Sequence, residues 1–143
     1  MFLPITLTFA AAAALLNFWL AMRVSRLRMS EKVLHGDGGS ATLTKRMRAQ
    51  ANYVEYTPFI LILTALIEMA WNSPTWLWVL SLIYIVARIA HAFGMDADHP
   101  AKTRMFGIIV TWMVVLTLSG AALYTVYAGT EEGTPADTTS ATV

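Results

Sequence analysis

The chain has 143 residues, of which 57% are hydrophobic and 13% charged, with a net charge of +1. Soluble domains are about 25% charged, so the composition points to lipid as the solvent, and the near-neutral balance offers no case for a nucleic-acid partner. Cysteine is absent, which excludes disulfides, thiolate metal sites and a cysteine nucleophile; any thiol chemistry needs a thiol carried by a ligand.

A helix crossing the hydrocarbon core needs about 20 mostly apolar residues. The first such stretch covers residues 3–22. No Lys or Arg precedes Arg23, so it lacks the basic start of a signal peptide. It reads as a retained membrane helix with its N-terminus outside. A long polar connection follows, centred on Gly36-Asp37-Gly38-Gly39-Ser40, and its glycines predict a flexible loop. A second helix is expected over 45–71, apolar from Tyr53 to Trp71. Asn72-Ser73-Pro74 makes a tight turn into a third helix over 75–93. A fourth covers 104–127. Residues 129–143 are small, polar and acidic, the composition of a disordered tail. The fold class is therefore all-α: an integral membrane four-helix bundle over residues 1–128, running up-down-up-down.

Orientation follows from Lys and Arg. Arg23, Arg26, Arg28, Lys32, Lys45, Arg46 and Arg48 lie between the first two spans. Arg88, Lys102 and Arg104 lie at the end of the third and in the loop after it. These are all ten basic residues, so both termini are expected outside and both basic loops in the cytoplasm. Trp71, Trp76, Trp78, Tyr124 and Tyr127 gather at the other end, as aromatic belt residues do.

The informative segment opens the second helix: Arg48-Ala49-Gln50-Ala51-Asn52-Tyr53-Val54-Glu55-Tyr56-Thr57-Pro58. At helical spacing Arg48, Asn52, Glu55 and Tyr56 share one stripe, while Gln50 falls on the opposite face. Pro58 removes a backbone donor and predicts a kink. Ionisable groups at membrane depth are costly and often functional. The plainer alternative is that Arg48 and Glu55 only satisfy each other near the headgroups, although two turns separate them. Glu68 reads as a solvated or snorkelling carboxylate at the outer interface. His35, His91 and His99 are scattered, and no metal site is expected.

Arg48-x-x-x-Asn52-x-x-Glu55-Tyr56-x-Pro58 resembles the family of membrane-associated proteins in eicosanoid and glutathione metabolism. The resemblance includes Ala49-Gln50 and continues at Ala87-Arg88, Gly94, Arg104-Met105-Phe106-Gly107 and Thr111. Helix number and orientation agree, so it spans roughly residues 1–128. It implies a bacterial inner-membrane homotrimer that binds glutathione, as cosubstrate, between subunits in a cleft facing the cytoplasm. By that resemblance Arg48 holds a carboxylate, Glu55 the ammonium, Asn52 and Tyr56 add hydrogen bonds, and Gln50 serves from across the interface. Arg26 or Arg28 takes the second carboxylate. Arg104, with Lys102 as second choice, activates the thiol; the bland alternative for both is a topology signal. Where eicosanoid-making relatives carry tyrosines, this chain has His91 and Met95. His91 can still hydrogen-bond and is a candidate contact, whereas Met95 cannot replace a phenol.

Three functions compete. The first is a glutathione transferase acting on an apolar electrophile from the bilayer, with peroxidase activity open to the same thiolate. The second is a non-catalytic lipid or fatty-acid binder, or a subunit of a membrane complex. The third is a small multidrug-type transporter, which calls for a carboxylate deep in a helix; the first helix has no acid, and Glu55 and Glu68 lie near opposite surfaces.

Overall fold

The computed structural model describes residues 2–97 and 102–131. Asp98, His99 and Pro100 of the third loop, and the tail from residue 132 onward that is expected to be disordered, lie outside the described residues. Four helices account for nearly all the rest: α1 (Pro4–Glu31), α2 (Ala41–Trp71), α3 (Thr75–Asp96) and α4 (Lys102–Glu131). All four are long and apolar enough to cross a membrane, and no strand occurs among the described residues.

The helices outrun the apolar spans that announce them. α1 continues past Met22 to Glu31 because Arg, Leu and Met keep good helical propensity outside lipid. It stops at Lys32, which takes a left-handed conformation (φ 57°) while Val33 N–H donates to the Arg28 carbonyl at 3.0 Å. α2 begins before residue 45 because Ser40 caps it, its hydroxyl accepting from Leu43 N–H at 3.2 Å. Asp37 holds the remaining link together, accepting from Gly39 N–H at 3.1 Å and the Thr44 hydroxyl at 3.0 Å. α2 runs unbroken through Pro58, and α4 continues past residue 127 to Glu131.

α2 and α3 form the middle of the bundle. Each packs on the other and on both remaining helices, while α1 and α4 make no contact among the described residues. Ile5, Phe9, Ala13, Leu16 and Leu20 supply the buried stripe of α1, at the three-to-four residue spacing of one helix face. Lipid offers no hydrophobic drive for helices to associate, so polar contacts and close packing matter more. Tyr53 donates its hydroxyl to the Ala13 carbonyl at 2.7 Å, and the Thr57 and Tyr84 hydroxyls lie 2.7 Å apart.

Both ends of the bundle are clasped. At one end α1 starts with Pro4, and its cap residue Leu3 has no side-chain acceptor. The N–H groups of Ile5 and Thr6 donate instead to the Glu68 carboxylate, at 2.9 and 2.7 Å, and the Ser73 hydroxyl adds a third bond at 2.8 Å. Glu68 is 1% exposed. It is no snorkelling residue, as the sequence suggested. A helix start presents orphan donors and a positive dipole end, and this carboxylate satisfies both from 63 residues away. Around it Trp71 packs edge-on against Trp76 and Tyr124 and donates to the Thr125 hydroxyl at 2.8 Å. At the other end Arg23 donates to the Asp96 carboxylate and to the Ala92 carbonyl, and lies 4.8 Å from the Trp19 ring. Arg46 approaches the same carboxylate at 3.5 Å, so one anion joins α1, α2 and α3.

Two predictions follow from these contacts. Glu68→Ala leaves one buried and one part-buried backbone donor unpaired and is expected to lower stability by about 2–4 kcal/mol, with Glu68→Gln retaining part of the loss. Thermal unfolding of the detergent-solubilised protein measures both. The Gly39 N–H and Thr44 hydroxyl hold the Asp37 carboxyl below its usual range. A depressed carboxyl contributes above its unfolded value, and the contribution disappears as pH falls through the folded one. The protection factor of the Gly39 amide, its exchange rate relative to the unstructured amide at the same pH, is therefore expected to be constant through neutral pH and to fall only in acid.

Candidate functional site

The site begins with two glycines. Gly94 of α3 and Gly107 of α4 face each other's helices. A Cβ on Gly107 would stand 2.5 Å from the His91 Cβ and 2.8 Å from the Ala87 carbonyl, and one on Gly94 would overlap the Arg104 backbone. Small residues let membrane helices approach closely. Here the approach brings the end of α3 against the start of α4, and the His91 ring reaches the Arg104 carbonyl, Nδ1 to O, at 3.2 Å.

That bond sets the state of the imidazole. A carbonyl can only accept, so Nδ1 carries the proton and, in the neutral ring, Nε2 is left as an acceptor. Nε2 is buried and has no partner; the same holds for Asn52 Oδ1.

Between α2, α3 and α4 lies a cleft of about 280 Å³. α2 contributes Arg48, Ala51, Asn52 and Glu55, α3 contributes His91 and Met95, and α4 contributes Arg104 and Ile108. Arg48, Glu55 and Arg104 are exposed, Asn52 is half-buried and His91 is buried. No ion pair joins Arg48 to Glu55 among the described residues. Two guanidiniums, one carboxylate and two neutral acceptors thus converge, with net positive charge. The set suits a small zwitterion: guanidiniums match anionic groups, while Glu55, Asn52 and His91 accept hydrogen bonds.

The structure assembles five of the candidate residues and leaves out five. Tyr56 lies at the edge of the stripe, about 80° round the helix from Arg48, and its hydroxyl accepts from the Trp112 indole at 3.2 Å. Gln50 does not line the cleft, in keeping with its opposite face. Arg26 is exposed elsewhere on α1, and Arg28 bonds the Met47 sulfur at 3.3 Å. Lys102 is exposed at the first residue of α4, outside the lining that Arg104 joins two residues later.

Arg88 also departs from its sequence reading. Counted by sequence with the basic residues of the cytoplasmic face, it is 2% exposed inside the bundle. It donates to the Thr111 hydroxyl at 3.3 Å and lies 5.7 Å from the Tyr53 ring. The signal was present as a single cation within an apolar span.

The MAPEG family model matches residues 6–124. The chain belongs to the MAPEG family. Among curated proteins it is similar to the inner membrane protein YecN of Escherichia coli strain K12, with 31% identity over 117 residues, covering 81% of this chain and 88% of the relative. The counterpart from Escherichia coli O6:H1 matches to the same extent. In this MAPEG chain the family match covers every residue that lines the cleft.

Because α3 and α4 meet through glycine, Gly107→Val is expected to part them and destabilise the protein by about 1–3 kcal/mol. Gly120→Val is the control, since nothing lies within 4 Å of its added Cβ. Thermal unfolding of the two variants beside the native protein measures the difference.

Proposed function

We propose that this MAPEG protein is a membrane-bound glutathione transferase. The observation that carries the reading is the convergence of Arg48, Asn52, Glu55, His91 and Arg104 on one cleft. Glutathione presents two carboxylates, an ammonium and a thiol. Arg48 takes a carboxylate, Glu55 the ammonium, and Asn52 and His91 accept from the remaining N–H groups. Arg104 is the catalytic residue. It stands in the first turn of α4, where its own charge and the positive end of the helix act together on an anion.

A free thiol of this kind has a pKa near 8.5, and a neighbouring cation lowers it by about 1–3 units. The proton leaves to solvent and the thiolate remains against Arg104. Its sulfur attacks an electrophilic carbon of an apolar molecule arriving from the bilayer. A carbon–sulfur bond forms, and the leaving group departs with its electron pair. The protein contributes proximity and a stabilised anion, and none of its own residues is modified. The same thiolate, attacking the O–O bond of a hydroperoxide, would release the alcohol and leave a glutathione sulfenic acid, which a second glutathione converts to the disulfide and water.

Supporting observations suggest the wider setting. The start of α1 meets the end of α2, and the end of α3 meets the start of α4, as an up-down-up-down bundle requires. The clustering of Lys and Arg supports an arrangement with both termini outside and the cleft facing the cytoplasm. The name of the Escherichia coli relative supports an inner-membrane location. Gln50, on the far face of α2, is available to a neighbouring copy in a homotrimer. A second reading, a lipid or fatty-acid binder without turnover, is favoured by Met95, a thioether in the cleft wall that cannot do the work of the tyrosine that the resemblance to eicosanoid-making enzymes leads one to expect.

Thiolate formation tests the proposal. Adding glutathione to the purified protein at neutral pH is expected to give the ultraviolet difference absorbance of a thiolate. Arg104→Ala is expected to move its half-titration up by about 1–3 pH units, erasing the neutral-pH signal while binding persists. Binding without a thiolate in the native protein would favour the lipid binder, and no binding would overturn the glutathione reading.

A further inference from the structure

The end of α1 carries a second concave surface, of about 620 Å³, which shares no lining residue with the cleft. Arg28 and Lys32 give it charge, and Met29 and Leu34 border it. Arg28 has little to bond. Its Nη2 donates to the Met47 sulfur, a weak acceptor, and its Nη1 is buried without a partner. The acids nearest in sequence are engaged elsewhere. Glu31 accepts from the Ser40 hydroxyl at 3.1 Å, and Asp37 is held by Gly39 and Thr44. Among the described residues no ion pair reaches Arg28 or Lys32.

Beside these cations Met29 is 70% and Leu34 86% exposed. The mixture decides what fits. A soluble anion would satisfy the charges and leave two large apolar side chains in water. A bare acyl chain would cover the apolar part and leave the cations unpaired. Arg28 lies about two helical turns past Met22, the last residue of the apolar span, which is headgroup depth. We propose that this surface binds an anionic phospholipid, with Arg28 and Lys32 on its phosphodiester and Met29 and Leu34 against the upper part of an acyl chain. Arginine suits the phosphate because its planar fork donates two parallel bonds. The site is independent of the glutathione reading.

The test uses the full chain in detergent, titrated with phosphatidylglycerol or phosphatidylcholine and followed by native mass spectrometry. The native protein is expected to retain phosphatidylglycerol in preference to phosphatidylcholine. Arg28→Gln with Lys32→Gln is expected to weaken phosphatidylglycerol binding about thirtyfold, the size of two interfacial cations. Five other basic residues remain in that connection, so orientation is preserved, and circular dichroism checks the fold. Leu34→Ser, which leaves every charge in place, is expected to weaken the lipid and not inorganic phosphate. Equal retention of the two lipids, or phosphatidylglycerol binding unchanged in the double variant, would overturn the proposal. So would full displacement by millimolar phosphate, which would make the surface a soluble-anion site.

Discussion

Everything in the candidate site depends on how closely α3 and α4 approach. Gly94 and Gly107 leave no room for a Cβ on either side. With the helices at that distance, the His91 ring reaches the Arg104 backbone, which fixes both the tautomer of the one and the position of the other. Arg104 then shares a cleft with the α2 stripe. A larger residue at either glycine would move the Arg104 guanidinium away from Arg48, Asn52 and Glu55 together.

Elsewhere the bundle is held by polar groups that lipid would otherwise strand. Glu68 satisfies the start of α1, and Asp96 gathers Arg23 and Arg46. Between these ends Tyr53, Thr57 and Tyr84 join α1, α2 and α3, while Arg88 and Thr111 join α3 to α4. In a bilayer a group with no partner has no water to turn to. Such contacts therefore specify which helix faces meet, where apolar packing alone would leave several choices.

The two surfaces at the basic end differ in kind. The cleft brings together cations, an anion and neutral acceptors from three helices, which suits a small zwitterion. The surface at the end of α1 joins cations to exposed apolar side chains from one helix and its following turn, which suits a lipid. Positive-inside bias accounts for the side on which these residues lie. It does not account for Arg28 having no ion pair among the described residues, or for Arg104 being fixed against His91.

The four spans, the gathering of basic residues and the stripe of Arg48, Asn52 and Glu55 were legible in the sequence alone. Each is a one-dimensional property: a run of apolar residues, a count, or a spacing on one helix. Pro58, where the sequence predicts a kink, lies inside α2, which is helical on both sides of it. What lay beyond reading were the contacts between helices. Glu68 looked like a surface acid because its flanking residues do not show that a helix start 63 residues away needs its oxygens. Arg88 looked like a topology signal because sequence carries no depth. Tyr56 shared the stripe by spacing, and only the position of Trp112 on α4 shows where its hydroxyl turns. Periodicity determines which residues share a face; which faces meet is decided by packing and polar pairing among distant segments.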